Sequence, residues 1–117
     1  MIALRGATTV ANDTPEEIRS AVLEMFDELV RKNSLQLSNI VSILFTATKD
    51  VRSVYPGKFL REDRAVTGAA ILHFQEMDVV ASLSQCIRVL IYCEGISNPE
   101  HAYLRGAKGL RPDISGL

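Results

Sequence analysis

The sequence contains few of the residues on which most enzymes rely. It has no tryptophan, two histidines, and two cysteines, Cys86 and Cys93, which form no CxxC pair. Two isolated histidines are too few for an ordinary zinc site. The chain also lacks a GxxxxGK[ST] phosphate loop, a GxGxxG dinucleotide fingerprint and a Gly-x-Ser-x-Gly elbow. These absences give no sign of a metal, dinucleotide or nucleophile, and the two cysteines are expected to be free thiols in a reducing compartment.

Long apolar runs and an excess of one charge are missing too. No stretch approaches the ~18 apolar residues that span a bilayer, and Arg5 interrupts the apolar start, which argues against a secretory signal. The 13 basic and 14 acidic residues nearly cancel, whereas nucleic-acid-binding domains usually carry a basic excess. We therefore expect a cytoplasmic protein that binds neither membrane nor nucleic acid. Its 117 residues fit one domain over residues 1–117.

The patterning predicts one long helix that begins with a capping signal. Thr14 is the expected N-cap, Pro15 occupies the first helical position, and Glu17 completes a Thr-x-x-Glu capping box. Apolar residues then recur at helical spacing, and Asn33-Ser34 marks the expected end. Because only one side is apolar, the helix is expected to pack on something flat, most simply a sheet.

The remaining apolar segments are predicted to be strands, since they are short and rich in β-branched and aromatic residues. They comprise residues 2–10, 40–48, 69–74, 86–94 and 102–110. Residues 51–62 contain Pro56-Gly57 and are predicted to be irregular or a short helical turn. The order β-α-β-loop-β-β-β predicts an α/β (α+β) fold, with a sheet packed against one main helix.

The strand predicted at residues 86–94 is almost continuously apolar, as in strands that are buried on both faces. One helix covers only one face of a sheet, and the rest of the sequence cannot cover the other. Apolar surfaces as large as this mark interfaces when they are left bare. We therefore expect the protein to associate with copies of itself.

Three charged residues lie in or beside apolar strands. Arg5 interrupts the first strand, Arg88 interrupts the most apolar one, and Glu76 follows the strand at residues 69–74. A buried charge is costly unless it is paired. One interpretation is a solvent-facing position or a structural ion pair, such as Arg88 with Glu76. Together the three favour a polar pocket for an anionic ligand, because arginine binds carboxylates through two parallel hydrogen bonds.

Short motifs in a fixed order resemble those of a known enzyme family. They are Leu4-Arg5-Gly6-Ala7-Thr8-Thr9-Val10 with Asp13-Thr14, Thr46-Ala47-Thr48 with Asp50, Tyr55-Pro56-Gly57-Lys58 with Arg61, Gln75-Glu76-Met77-Asp78-Val79, Cys86-Ile87-Arg88-Val89, His101-Ala102-Tyr103-Leu104 and Leu110-Arg111-Pro112-Asp113. In order and spacing the set resembles the monofunctional trimeric α/β chorismate mutases, a different fold from the all-helical mutases. The resemblance covers nearly the whole chain.

The resemblance implies a five-stranded mixed sheet packed on one long helix, with three chains associating into a pseudo-α/β-barrel. It implies a homotrimer with active sites between subunits and an isomerase that needs no cofactor and no metal. The implied reaction is the pericyclic (Claisen) rearrangement of chorismate to prephenate in tyrosine and phenylalanine biosynthesis. Such a reaction moves no proton and forms no covalent intermediate, which agrees with the missing nucleophile.

The resemblance also implies roles for single residues. Arg88 would stabilise charge on the ether oxygen, Glu76 would accept a hydrogen bond from the ring hydroxyl, and Arg5 and Tyr103 would hold the side-chain carboxylate. The other implied substrate-binding residues are Tyr55, Gly57, Lys58, Arg61, Ile71, Leu72, His73, Leu110 and Arg111. We expect Arg5, Glu76, Arg88 and Tyr103 to face Tyr55, Lys58, Arg61 and His73 across a subunit interface.

His73 is the clearest departure from the family, which often has a small side chain such as cysteine at this position. One interpretation is that the imidazole bonds the ring hydroxyl and adds a pH dependence near neutrality. The other is that the ring turns away and only the backbone lines the site. The sequence leaves both open.

Two other functions are compatible with a chain of this kind. One is a trimeric imine-hydrolysing deaminase of similar small α/β architecture, which also holds a carboxylate with an interface arginine. The other is a non-catalytic trimeric binding module. The set of Arg5, Glu76 and Arg88 with Tyr103 favours the mutase over both.

Overall fold

The computed structural model describes residues 1–112, which form a five-stranded sheet with one long helix on one face. The strands are β1 (Ile2–Thr9), β2 (Ile40–Ala47), β3 (Ala70–Gln75), β4 (Cys86–Cys93) and β5 (Ala102–Tyr103). The helices are α1 (Pro15–Asn33) and the short α2 (Lys58–Arg64), with 3-10 turns at Leu37–Asn39 and Arg105–Leu110. Asp113, the last residue of the motif that begins at Leu110, lies outside the described residues. No helix within residues 1–112 is long and apolar enough to cross a membrane.

The sheet is mixed, with the strand order β3-β2-β4-β1-β5. Central β4 runs antiparallel to β1 and β2, whereas the outer strands β3 and β5 run parallel to their neighbours. The expected fold class is therefore confirmed. The strands predicted at residues 2–10, 40–48, 69–74 and 86–94 all form, each within one residue of its predicted bounds.

The strand predicted at residues 102–110 is wrong beyond Tyr103. Arg105 adopts a left-handed φ of 52°, which turns the chain out of the sheet. The Gly106 amide then donates to the Thr9 hydroxyl at 3.0 Å rather than to a strand carbonyl. The segment continues as a 3-10 turn, and its two glycines lower its strand propensity.

Helix α1 begins at the predicted cap, but the capping box is only half formed. Thr14 Oγ1 accepts a hydrogen bond from the Glu17 amide at 3.2 Å. A reciprocal box requires the Glu17 carboxylate to return to the Thr14 amide. Instead Glu17 Oε1 accepts hydrogen bonds from the Ala11 and Asn12 amides at 3.2 and 3.1 Å. It therefore ties the β1–α1 connection to the helix.

The main core lies between α1 and one face of the sheet. In β4 the alternate residues Ile87, Val89, Ile91 and Cys93 are buried toward α1, while Arg88, Leu90 and Tyr92 stay partly exposed on the other side. We call this other side the open face; by register it carries Ala3, Arg5, Ala7, Ser42, Leu44, Thr46, Leu72, Phe74, Arg88, Leu90 and Tyr92. Leu72 and Phe74 remain 57% and 52% exposed. Residues 1–112 of a single chain thus leave apolar sheet surface uncovered.

The two cysteines, Cys86 and Cys93, are buried and unlinked, as predicted. Burial raises the pKa of both thiols above its ordinary value. Since the thiolate is the reactive form of cysteine, these side chains act as small core residues.

We predict that Thr14→Ala lowers the free energy of unfolding by about 1 kcal/mol, because the Glu17 amide loses its acceptor. Urea unfolding followed by circular dichroism, at one fixed protein concentration, measures the change. Thr14→Ser keeps the hydroxyl and is the matched control, with a clearly smaller loss expected. Equal unfolding midpoints for the wild type and Thr14→Ala would contradict the capping role.

Candidate active site

Arg88 and Glu76 form an ion pair on the open face. Arg88 Nε lies 3.4 Å from Glu76 Oε2, and Thr46 Oγ1 donates a 2.7 Å hydrogen bond to the same oxygen. The Glu76 amide donates to the Ala47 carbonyl at 2.9 Å, which extends the β3–β2 pairing past the end of β3. The carboxylate is thus fixed from two sides, by the main chain and by Thr46.

The pair is not a closed structural salt bridge. The side chains of Arg88 and Glu76 remain 41% and 25% exposed. Arg88 Nε is buried, yet within residues 1–112 it has no hydrogen bond of good geometry, since 3.4 Å suits an ion pair better than a directed bond. A guanidinium has five N–H donors. Arg88 therefore has more donors than Glu76 alone can use.

The strand register brings Tyr103 and Arg5 close to Arg88. Arg88 pairs with Ala7 across β4 and β1, and Tyr103 lies beside Ala7 on β5. Arg5 occupies the next row of the open face, opposite Leu90. Neighbouring rows of a sheet face lie within reach of long side chains. We call Arg5, Glu76, Arg88 and Tyr103 the open-face group.

Leu110 and Arg111 lie near this group at the end of the described chain. Leu110 packs, partly buried, against the small cluster of Ala7, Tyr103 and Ala107. Arg111 is also partly buried, and its charge contributes to the environment of His101. The C-terminal motif thus lies at the β5 side of the open face.

A second group of predicted residues lies at the β3 edge of the sheet. Tyr55, Lys58 and His73 line a cleft of about 760 Å³, and Gly57 is buried against Ile71 and the His73 ring. We call these four residues the cleft group. The open-face group does not line this cavity. Within the described chain its lining includes three cationic side chains and no carboxylate, the cations being Lys49, Arg52 and Lys58.

Three further predicted residues lie around the cleft group. Arg61 is exposed one turn along α2 from Lys58. Ile71 is on the same face of β3 as His73, whereas Leu72 is on the open face. Ile71 and Leu72, both predicted to bind substrate, therefore lie on opposite faces of the sheet.

Charged contacts that the sequence analysis did not identify hold the cleft loop and α2. The Asp13 carboxylate accepts hydrogen bonds from the amides of Arg52 and Ser53 at 3.0 and 3.1 Å. Arg64 on α2 makes a two-point contact with Asp27 on α1 at 2.8 and 2.7 Å. Asp13 lies in the connection between β1 and α1, and no local pattern could indicate partners 39 and 40 residues away.

Each of the two histidines accepts a main-chain hydrogen bond from a predicted site residue. His73 Nε2 accepts from the Gly57 amide, and His101 Nδ1 accepts from the Arg5 amide, both at 2.9 Å. The Lys32 ammonium also donates to the His101 carbonyl at 3.1 Å. An imidazole nitrogen that accepts a hydrogen bond carries no proton. These bonds therefore require both rings to be neutral.

The surroundings favour the same neutral state. Burial, followed by the charge of Arg61, holds the pKa of His73 below its usual 6.5. Burial, followed by the charges of Arg5, Arg111 and Lys32, does the same for the pKa of His101.

Comparison with known proteins gives a consistent picture. The family model described as chorismate mutase type I matches residues 1–114. The chain is similar to chorismate mutase AroH of Bacillus subtilis (strain 168), with 35% identity over 96% of this chain and 91% of that protein. It is also similar to chorismate mutase AroH of Thermus thermophilus, with 34% identity over 95% of this chain and 93% of that protein. A solved structure, the chorismate mutase from Clostridium thermocellum, superposes with a TM-score of 0.89 at 37% identity, over 93% of this chain and 99% of that one.

The chain belongs to the chorismate mutase type I family. The sequence-based identification of this family, and of an isomerase, is therefore confirmed. The deaminase and the non-catalytic module, which the sequence left open, are the weaker interpretations.

We predict that both imidazoles of this chorismate mutase family member titrate below pH 6.5 when folded. As pH falls below 6.5, the unfolded chain takes up protons before the folded one, so the free energy of unfolding decreases. NMR titration of the histidine ring protons gives the two pKa values, and urea unfolding at pH 7.5 and 5.5 gives the stability change. A folded pKa at or above 6.5 for either ring would contradict the neutral acceptor role.

Proposed function

We propose that the chain rearranges chorismate to prephenate, a step of tyrosine and phenylalanine biosynthesis, through the open-face and cleft groups acting together between copies of a homotrimer. The observation that carries this proposal is Arg88, a cation fixed beside Glu76 on an apolar sheet face. The free, buried thiols support a reducing, cytoplasmic location.

Arg88 supplies the electrostatic part of catalysis. In the rearrangement the ether carbon–oxygen bond breaks ahead of carbon–carbon bond formation, so negative charge grows on the ether oxygen. A cation that is already in place stabilises this charge without reorganising. Glu76 and the strand ladder hold Arg88 before substrate arrives, and Thr46 holds Glu76. Since no proton is transferred, no acid, base or nucleophile is required.

The other residues restrict the substrate to its reactive conformer. Glu76 accepts the hydrogen bond of the ring hydroxyl, while Arg5 and Tyr103 hold the side-chain carboxylate. Lys58 of the cleft group and Arg61 attract and bind the dianion. Holding a flexible substrate in this geometry lowers the entropic part of the barrier.

A site between copies is favoured because Arg88 and His73 lie on opposite faces of one sheet. His73 lies on the α1 side of edge strand β3, while Arg88 lies on the open face two strands away. The uncovered Leu72 and Phe74 provide apolar surface for another copy. Packing an open face against a neighbouring cleft would bring the two groups together and bury this surface.

We predict that Arg88→Gln lowers kcat for chorismate by at least about 10³-fold and that Arg88→Lys is also severely impaired, because the guanidinium geometry is lost. The loss of chorismate ultraviolet absorbance measures the rate. Arg19→Gln is the matched control, since Arg19 is exposed on α1 and contacts Asp63 at 3.1 Å. It should keep wild-type kcat. A kcat for Arg88→Gln within about threefold of wild type would refute the role of Arg88.

We predict that two inactive variants complement each other if the site is shared between copies. One chain carries Arg88→Gln, and the other carries Lys58→Gln with Arg61→Gln. If the two chains are co-expressed in equal amounts and assemble at random, about a quarter of the sites should combine an intact open-face group with an intact cleft group. Each variant alone should stay inactive. Light scattering should give three times the 12.9 kDa chain mass. Trimers that show no recovered activity would place each site within one chain.

A further inference from the structure

We propose that His73 is a positioning residue, whose neutral imidazole holds the Gly57 amide and so fixes the Tyr55–Lys58 loop and the start of α2 for substrate. This inference rests on the proposed function for its catalytic consequence. The contact itself is independent of that function.

The ring of His73 is half-buried at the cleft and is contacted by neighbours on both sides. It stacks on Phe45 of β2 with ring centroids 5.4 Å apart and 9° between planes. Tyr55 packs against it with centroids 5.1 Å apart and a tilt of 54°. Its Nε2 accepts the Gly57 amide proton at 2.9 Å. The imidazole therefore contacts the loop through both a hydrogen bond and a ring.

Gly57 fits the ring because it has no side chain. A Cβ at this position would lie 2.9 Å from His73 Cε1 and Nε2 and 2.7 Å from Ile71 Cγ2, closer than real contacts allow. Because the Gly57 backbone approaches the ring this closely, its amide lies within hydrogen-bond distance of His73 Nε2. Gly57 and His73 thus form one steric and hydrogen-bonding unit.

The hydrogen bond from the Gly57 amide to His73 also affects the start of helix α2. The Gly57 carbonyl accepts the amides of Leu60 and Arg61 at 3.2 and 3.4 Å, so this residue is the N-cap of α2. Its own amide is anchored to β3 through His73. The hydrogen bonds at the amide and the carbonyl of this one residue therefore set the orientation of the first turn, which carries Lys58 and Arg61.

Protonation of His73 would break this anchor. An imidazolium has no free acceptor nitrogen, so the Gly57 amide would lose its partner. The charged groups around the ring are also unfavourable to a second cation. The charge of Arg61 on α2 lowers the pKa of His73. Lys49, Arg52 and Lys58 line the same cleft, with Asp78 and Glu62 as the partners of Lys49 and Lys58. Activity should therefore fall below about pH 6.5, as the loop is released.

The experiment combines three proteins and two readouts. His73→Phe keeps a stacking ring but has no acceptor, and His73→Gln keeps an acceptor that does not titrate. Wild type and both variants are measured for kcat and KM from pH 5 to 8. The ¹⁵N–¹H signal of the Gly57 amide is followed by NMR over the same range without substrate.

We expect His73→Phe to lower kcat/KM by about 5- to 50-fold at pH 7.5, mainly through a higher KM, because Lys58 and Arg61 bind substrate. A smaller fraction of folded enzyme would instead lower the apparent kcat and leave KM unchanged. His73→Gln should lose less than His73→Phe, and its acid limb should be flatter than that of wild type. The wild-type Gly57 signal should shift with the His73 titration, whereas in His73→Gln it should not.

Each contrary result identifies what fails. If the Gly57 amide signal does not change as His73 ionises, the proposed role of the hydrogen bond between these two residues is wrong. If the signal does change with His73 ionisation but His73→Phe has an unchanged KM, His73 does not position the loop for substrate. A wild-type protein with no turnover of chorismate would overturn the proposed function, but the NMR titration would still report on the anchor.

Discussion

The structure depends on the packing of a single helix against one side of a five-stranded sheet. The apolar stripe of helix α1 shares one core with alternate residues of β1, β2 and β4, and this core contains most of the buried apolar residues. Residues 1–112 contain no second helix of comparable length, so within them the other side of β4 remains uncovered. The two faces of the sheet therefore have different roles. The α1 side stabilises the fold, and the open face carries both apolar residues and the charged pair of Arg88 and Glu76.

This division explains how a charge can exist in the most apolar strand. Arg88 alternates with Ile87 and Val89, so the strand supplies a rigid support while its arginine points away from the core. Glu76 neutralises part of the charge, and Thr46 prevents the carboxylate from moving. The cleft group is built differently, from a loop and a short helix tied down by Asp13, Asp27 and His73. The open-face group is held in place by strand pairing, whereas the cleft group is held by side-chain contacts.

Much of this arrangement could be predicted from the sequence, because strand and helix patterns are local. The four long strands and the N-terminal cap of α1 follow from periodicity and composition, and the resemblance of the motifs identified the family. Features that depend on distant partners could not be predicted in this way. Glu17 bonds Ala11 and Asn12 rather than Thr14 because the preceding turn offers free amides. The contacts of His73 and His101 with Gly57 and Arg5 appear only once the sheet is formed, since no local pattern joins these positions.

The tight fit of Gly57 against His73 and Ile71 also limits how this protein can change through evolution. Alanine at position 57 is incompatible with the present ring, while a smaller residue at position 73 would leave the glycine amide without its acceptor. The effect of either substitution thus depends on whether the other is already present, which is epistasis with a steric origin. Lineages that carry different pairs at these positions are separated by a poorly fitting intermediate, and the order in which substitutions occur is constrained.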